Sequence, residues 1–194
     1  MSLKFLRKIP ILSTLSAKDI KEVHRISQVR EFQPGEAIFT KAESARHMFV
    51  VISGRVKIFI DSHSKKSKTF AYLHPGDFFG EMALVDGKTR SASAEAVVVS
   101  KLLLISKHDF KQLLMSDPAL TYYLLQTVSE RLRRANDEIE NLLFRNILGR
   151  GSKTIYDLAN DTGKQYRGGI LLGVHYTHQE LADLVGTTRE RRDR

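Results

Sequence analysis

The chain of 194 residues contains no cysteine. Disulfides, thiolate-held iron–sulfur clusters and every cysteine nucleophile are thereby excluded. It also lacks any apolar run near the roughly 18 residues that a membrane-spanning helix needs. Residues 1 to 8 lack the apolar centre of a signal peptide, so a cytoplasmic protein with no membrane partner is expected. Carboxylates paired at an informative spacing are missing, and the chain is not expected to be an enzyme. Only His175 and His178, among seven histidines, are close in sequence, and that i, i+3 pair alone makes a weak case for a metal site.

What is in excess is positive charge, +9 in all. Lys and Arg facing phosphates supply most non-specific affinity for nucleic acid. The distribution matters more than the total. Residues 147 to 194 carry eight Lys and Arg against six Asp and Glu, a net +2, and leave +7 on residues 1 to 146. Four of those eight, Arg189, Arg191, Arg192 and Arg194, lie in the last six positions. Lys65, Lys66 and Lys68 fall in a polar stretch whose expected state is a solvated hairpin loop.

Residues 3 to 27 read as short helical pieces, with Ile20, Val23 and Ile26 at helical spacing. From Val29 the period becomes two. Strands are expected at Glu36 to Thr40, Met48 to Ile52, Arg55 to Ile60, Thr69 to Leu73 and Ala96 to Ile105, cut by Pro34-Gly35, Ser53-Gly54 and Pro75-Gly76. Short strands so spaced predict an antiparallel barrel or jelly roll. From Pro118 to Phe144 the helical period returns with no further Pro and no Gly. Leu125, Val128, Leu132, Ala135, Ile139 and Leu142 form a heptad seam there, flanked by charge, which predicts a homodimer paired along this helix.

Gly149 and Gly151 are read as the exit from that helix. The run Gly149-Arg150-Gly151-Ser152-Lys153 is not a nucleotide P-loop, because Ser152 and Ile147 stand where that pattern needs glycine. A helix through Ile155 and Leu158, a polar turn from Gly163 to Gly169 and a strand from Ile170 to Tyr176 follow. Thr177 to Glu180 is a capping box opening a helix with Leu181, Leu184 and Val185 inward. Ala182 and Gly186, four apart, suit a helix-turn-helix crossing, and Thr187 to Glu190 can cap a second helix. Arg189 and Glu190 in its first turn, with Arg194 further on, can read base edges in a major groove.

The most informative stretch is Phe78 to Ala94. Gly80-Glu81 opens a short apolar turn, and Arg90-Ser91 follows ten residues on. Glycine lets the backbone approach an anion, and amides at the start of a helical turn favour negative charge. A guanidinium fits a phosphate, and a carboxylate accepts from a sugar hydroxyl.

With this cassette, the heptad helix and the helix-turn-helix in that order, the chain resembles the Crp/Fnr family of transcription regulators over nearly its whole length. The resemblance implies an α+β fold: an N-terminal antiparallel β-roll of the cyclic-nucleotide-binding type at residues 1–116, a dimerisation helix at 117–145, and a C-terminal winged helix-turn-helix at 146–194 lacking its end. It implies a ligand-gated, DNA-binding regulator that needs no cofactor, with cyclic AMP or a related cyclic nucleotide as effector and double-stranded DNA and RNA polymerase as partners. Gly80, Glu81, Met82, Ala83, Arg90 and Ser91 would hold the cyclic phosphate and ribose. Thr177 and Gln179 would touch DNA phosphates, and Arg189, Glu190 and Arg194 base edges.

Three departures from the family pattern stand out. Ala135 and Asn136 replace the Thr and Ser that meet the adenine in cyclic-AMP-responsive members, leaving Asn136 as the remaining donor and acceptor. Arg191-Arg192-Asp193 puts a charge where the recognition helix normally packs inward. The sequence also stops at Arg194, about two turns into that helix, so its last residues are expected to fray and to weaken DNA binding. The alternative is a sensor module acting through protein contacts without DNA, and a further one keeps the regulator but takes haem, a cyclic dinucleotide or an organic anion.

Overall fold

The two most apolar segments of the chain pair with each other. In the computed structural model, which describes residues 6–7, 9–13, 15–61 and 67–187, β3 (His47–Ser53) and β8 (Ser100–Ser106) run antiparallel in the middle of a four-stranded sheet. Its order is β1-β8-β3-β6, with β1 (Gln28–Phe32) and the two-residue β6 (Phe78–Phe79) at the edges. A second sheet has the order β2-β7-β4-β5, from β2 (Ala37–Phe39), β7 (Ser93–Ala96), β4 (Val56–Asp61) and β5 (Ser67–Leu73).

Burial explains why β3 and β8 are apolar throughout instead of alternating. Phe49, Val51, Leu102 and Leu104 point toward the second sheet and pack with Phe39, Val56, Ala94 and Ala96. Their neighbours Met48, Val50, Leu103 and Ile105 point the other way, onto helices. A sheet covered on both faces selects apolar residues at every position. The covering helices are α1 (Ala17–Ile26), α3 (Lys107–Ser116) and the first turns of α4 (Pro118–Phe144), which contribute Ile20, Val23, Phe110, Leu113, Leu120 and Leu124. Each starts on a side-chain cap: Ser16 accepts from the Asp19 amide, Ser106 from Asp109 and Asp117 from Leu120, at 2.9 to 3.2 Å.

The expected jelly roll is therefore present, with one strand differing. Ala96 to Ile105 is two strands, β7 and β8, broken at Val97 to Val99. The Ser100 hydroxyl donates to the Val98 carbonyl at 2.7 Å and accepts from the Arg55 amide at 3.1 Å. That turn defeats the β preference of three valines, because hydrogen bonding across the fold outweighs a weak intrinsic preference.

The chain divides into two compact units, Met1–Ile60 with Phe70–Ser129 and Asp61–Thr69 with Glu130–Arg194. In the second, α4 ends at Phe144 and α5 (Ile147–Thr162) begins almost at once. Gly149 and Gly151 thus lie inside a helix and do not form the exit from one. Asn146 caps α5 by accepting from the Gly149 amide at 2.9 Å, which offsets the poor helix propensity of glycine. The stretch read as a polar turn and a longer strand is a hairpin, β9 (Gly163–Tyr166) against β10 (Gly169–Leu172). It turns on Arg167 and Gly168, both at positive φ. Helix α6 (His178–Val185) follows.

Helix α4 has two apolar stripes with different fates. Leu120 and Leu124 are buried, whereas the seam residues Leu125, Val128, Leu132, Ile139 and Leu142 are 37 to 62% exposed. Among the described residues no helix is long and apolar enough to cross a membrane.

Because Leu103 is fully buried at the centre of β8, Leu103→Ala is expected to cost about 2–5 kcal/mol. A urea denaturation series should read that cost as a lower midpoint with an unchanged slope.

Candidate functional site

Strand β6 is short because Gly80 ends it. Phe79 pairs with Phe49, Phe78 with Val50, and Gly80 then turns out of the sheet at φ +79. A Cβ at this position would stand 2.7 Å from Arg90 Nη1. Only glycine fits, on grounds of both backbone conformation and close approach. Glu81 follows with its side chain 1% exposed, and the four-residue helix α2 (Met82–Val85) begins there, folded back by Leu84 and Val85 amides donating to the Glu81 carbonyl. The amides of Met82 and Ala83 belong to the first turn, which has no acceptor of its own helix.

Arg90 reaches this turn from the loop before β7. Its Nη1 donates to the Gly80 carbonyl and its Nη2 to the His47 carbonyl, both at 2.7 Å. The guanidinium lies 4.1 Å over the Phe39 ring and 5.7 Å from that of Phe49. Phe39, Phe49 and Phe79 form an aromatic platform with centroids 5.1 to 5.9 Å apart. The backbone of Arg90 is pinned as well: its amide donates to the Glu43 carbonyl, and its carbonyl accepts from the Ala42 amide. Burial pushes the guanidinium pKa down from its usual value, opposed by Glu43 and Glu81, and it stays charged. Ser91 is exposed, with its hydroxyl 4.0 Å from Met82 Sδ.

The fold thus brings Gly80, Glu81, Met82, Ala83, Arg90 and Ser91 into one short stretch of surface and edge. One detail differs from the sequence expectation of an open fork. Two of the five guanidinium donors are spent on backbone carbonyls, and the Nε–H is buried without a hydrogen-bond partner among the described residues, which leaves two Nη hydrogens unassigned. The aromatic platform, His47 and the Glu43 loop were not legible in the sequence. The only available signal was the spacing of Phe39 and Phe49 on strands, which reads equally as core.

Ala135 and Asn136 lie on α4 within the second unit, both exposed. In the same unit the capping box at Thr177 is made in both directions. Its hydroxyl accepts from the Glu180 amide at 3.1 Å, and Glu180 Oε2 accepts from the Thr177 amide at 2.7 Å. Gln179 is exposed, its Nε2 donating to Asp183 Oδ1 at 2.8 Å. Ala182 and Val185 are the buried residues of α6, with Leu181 and Leu184 half-buried. Gly186 closes the helix at φ +74, a left-handed cap that directs the chain out of the axis. Arg189, Glu190 and Arg194 lie outside the described residues, as do Lys65 and Lys66. Lys68, expected in a solvated loop, is instead paired with Glu138 at 2.6 Å.

Residues 29–117 match the family model described as a cyclic nucleotide-binding domain. The chain is 31% identical over 181 residues to the cyclic AMP receptor protein of Thermus thermophilus, covering 93% of this chain and 81% of that one. It is 28% identical over 160 residues to a CRP-like cAMP-activated global transcriptional regulator of Mycobacterium tuberculosis, covering 82% and 71% respectively. Among solved structures, the c-di-GMP responsive global regulator CLP of Xanthomonas campestris superimposes with a TM-score of 0.76 at 26% identity, covering 91% of this chain and 87% of that one.

The histidine beside Arg90 gives the first unit a pH dependence. Burial, then Arg90 and Arg46, push the His47 imidazole below its usual value of 6.5. Burial and Arg55 do the same for His74, opposed by Asp77. The folded state therefore binds fewer protons than the unfolded chain, so this contribution to stability is complete above the usual value and is lost as pH falls below it. Tm should fall from about pH 8 to about pH 5, and the double variant His47→Gln, His74→Gln should flatten that slope.

Proposed function

This chain belongs to the Crp/Fnr family of transcription regulators, and we propose that it is a DNA-binding regulator gated by a cyclic nucleotide, with cyclic AMP as the effector. The observation that carries the reading is the joined cassette. Gly80 turns the backbone, α2 begins on amides without intrahelical acceptors, and Arg90 is held charged against the same turn. Such a constellation suits a phosphodiester monoanion, with Ser91 as a further donor and Glu81 as acceptor for the ribose hydroxyl. The Thermus relative, named as a cyclic AMP receptor, supports the choice of nucleotide. At the base end, Ala135 and Asn136 would meet the purine, with Asn136 as the hydrogen-bonding partner.

In this reading residues 1–116 sense the effector, 117–145 pair two copies, and 146–194 read DNA. The exposed apolar seam on α4, from Leu125 to Leu142, favours pairing with a second copy, since such a stripe left in water is costly. Thr177 and Gln179 would position the helix-turn-helix on DNA phosphates, and Arg189, Glu190 and Arg194 would reach bases in half-sites one DNA turn apart. RNA polymerase is the partner such an output requires. The effector shifts the equilibrium only by its differential affinity for the two arrangements of the dimer. No catalytic role is assigned to any residue.

Titration calorimetry with cyclic AMP, cyclic GMP and cyclic di-GMP tests the effector. Cyclic AMP should bind most tightly, with Arg90→Ala weakening it about a hundredfold and the milder Ser91→Ala about tenfold, as expected for lost charge-assisted and neutral hydrogen bonds. Unchanged affinity in both variants would falsify the site, and preferential binding of cyclic di-GMP, the effector named for the Xanthomonas relative, would displace the nucleotide. For the seam, Leu132→Glu should convert a sedimenting dimer into a monomer.

A further inference from the structure

Ala42, in the loop between β2 and β3, sits at φ +68, a region that a Cβ makes unfavourable. Such a residue persists only where its surroundings hold it. Ala42 is the third residue of a four-residue turn closed by the Glu43 amide, which donates to the Thr40 carbonyl at 3.2 Å. Turns with positive φ at this position favour glycine. Here the Glu43 side chain closes the turn a second time. Its Oε2 accepts from the Thr40 amide at 3.0 Å and from the Thr40 hydroxyl at 3.3 Å. The Lys41 amide donates to Ser93 Oγ at 3.0 Å, so the turn is also fixed to β7.

The strained turn lies against Arg90. The Ala42 amide donates to the Arg90 carbonyl, and the Arg90 amide donates to the Glu43 carbonyl, both at 2.9 Å. An antiparallel bridge between Ser44 and Thr89 extends the pairing. These bonds hold the main chain of Arg90, while the Gly80 and His47 carbonyls hold its guanidinium. We propose that Glu43 is a positioning residue for the effector phosphate: its carboxylate keeps Ala42 in the strained conformation from which the turn grips the Arg90 main chain and aims the guanidinium at the cassette. The ligand in this statement rests on the effector reading above, whereas the hold on Arg90 does not. Glu43 is exposed, so removing its side chain opens no cavity in the core. What is lost is the second closure of the turn. Without it, Ala42 can relax toward negative φ, and the two bonds to Arg90 open together.

Hydrogen exchange at the Ala42 and Arg90 amides gauges this grip directly. In the full chain, read by NMR, Glu43→Ala should speed exchange at these two amides about tenfold, while amides of β3 and β8 keep wild-type protection. Glycine tolerates positive φ, so adding Ala42→Gly to Glu43→Ala should return both amides to within about twofold of wild type. In calorimetry, Glu43→Ala should weaken cyclic AMP binding about tenfold. The same substitution made in an Arg90→Ala background should change the remaining affinity by less than about twofold, because a residue that acts through Arg90 has nothing left to position. Unaltered exchange in Glu43→Ala, no rescue by Ala42→Gly, or an equal loss of affinity in both backgrounds would overturn the proposal. A wild type that gives no heat with cyclic AMP counts against the effector reading alone, and exchange at Ala42 and Arg90 still decides the hold on the arginine.

Discussion

Everything in the first unit depends on a sheet that is buried on both faces. Pairing of β3 with β8 places one set of side chains against the second sheet and the alternate set against helices, so neither strand can slip by one residue without exchanging two cores. That rigidity is what the cassette inherits. Strand β6 adds to the same sheet at Phe49 and Val50, and the chain leaves it at Gly80. The Arg90 fork then ties the Gly80 carbonyl to the His47 carbonyl at the start of β3. The turn is therefore positioned by the stiffest part of the unit.

Placing a guanidinium at 5% exposure in such a setting is costly unless the charge is compensated. Three devices share that task. Two carbonyls accept from the fork, the Phe39 face lies 4.1 Å below it, and the carboxylates of Glu43 and Glu81 contribute a favourable field. The charge is thus shared among several partners.

In the second unit, polar contacts at helix ends take over the role that packing plays in the first. Asn146, Thr177 and Glu180 satisfy helix starts, and Lys68 and Arg150 satisfy the end of α6. Only Ala182 and Val185 of α6 are buried. Arrangements held by a few directional contacts are easier to shift than a packed core. Along α4 the contrast appears within one helix. Leu120 and Leu124 are buried with the roll, while the seam residues Leu125, Val128, Leu132, Ile139 and Leu142 are exposed.

The sequence by itself determined the elements whose causes are local. The capping box at Thr177, the left-handed cap at Gly186, the uninterrupted helix after Pro118 and the glycine at the cassette turn each follow from residues within a few positions of one another. Alternating and continuous apolar runs likewise announced a β-roll, though the break at Val97 to Val99 was hidden because Arg55, just ahead of β4 and 45 residues away, is the partner that Ser100 takes there. Only the tertiary structure decided where the buried charges go. Arg90 turned inward onto Gly80 and His47, and Lys68 found Glu138, 70 residues away in sequence. A long cationic side chain is compatible with solvent at almost any surface position. Which partner it takes depends on the register and packing of distant segments, and those are not written next to it.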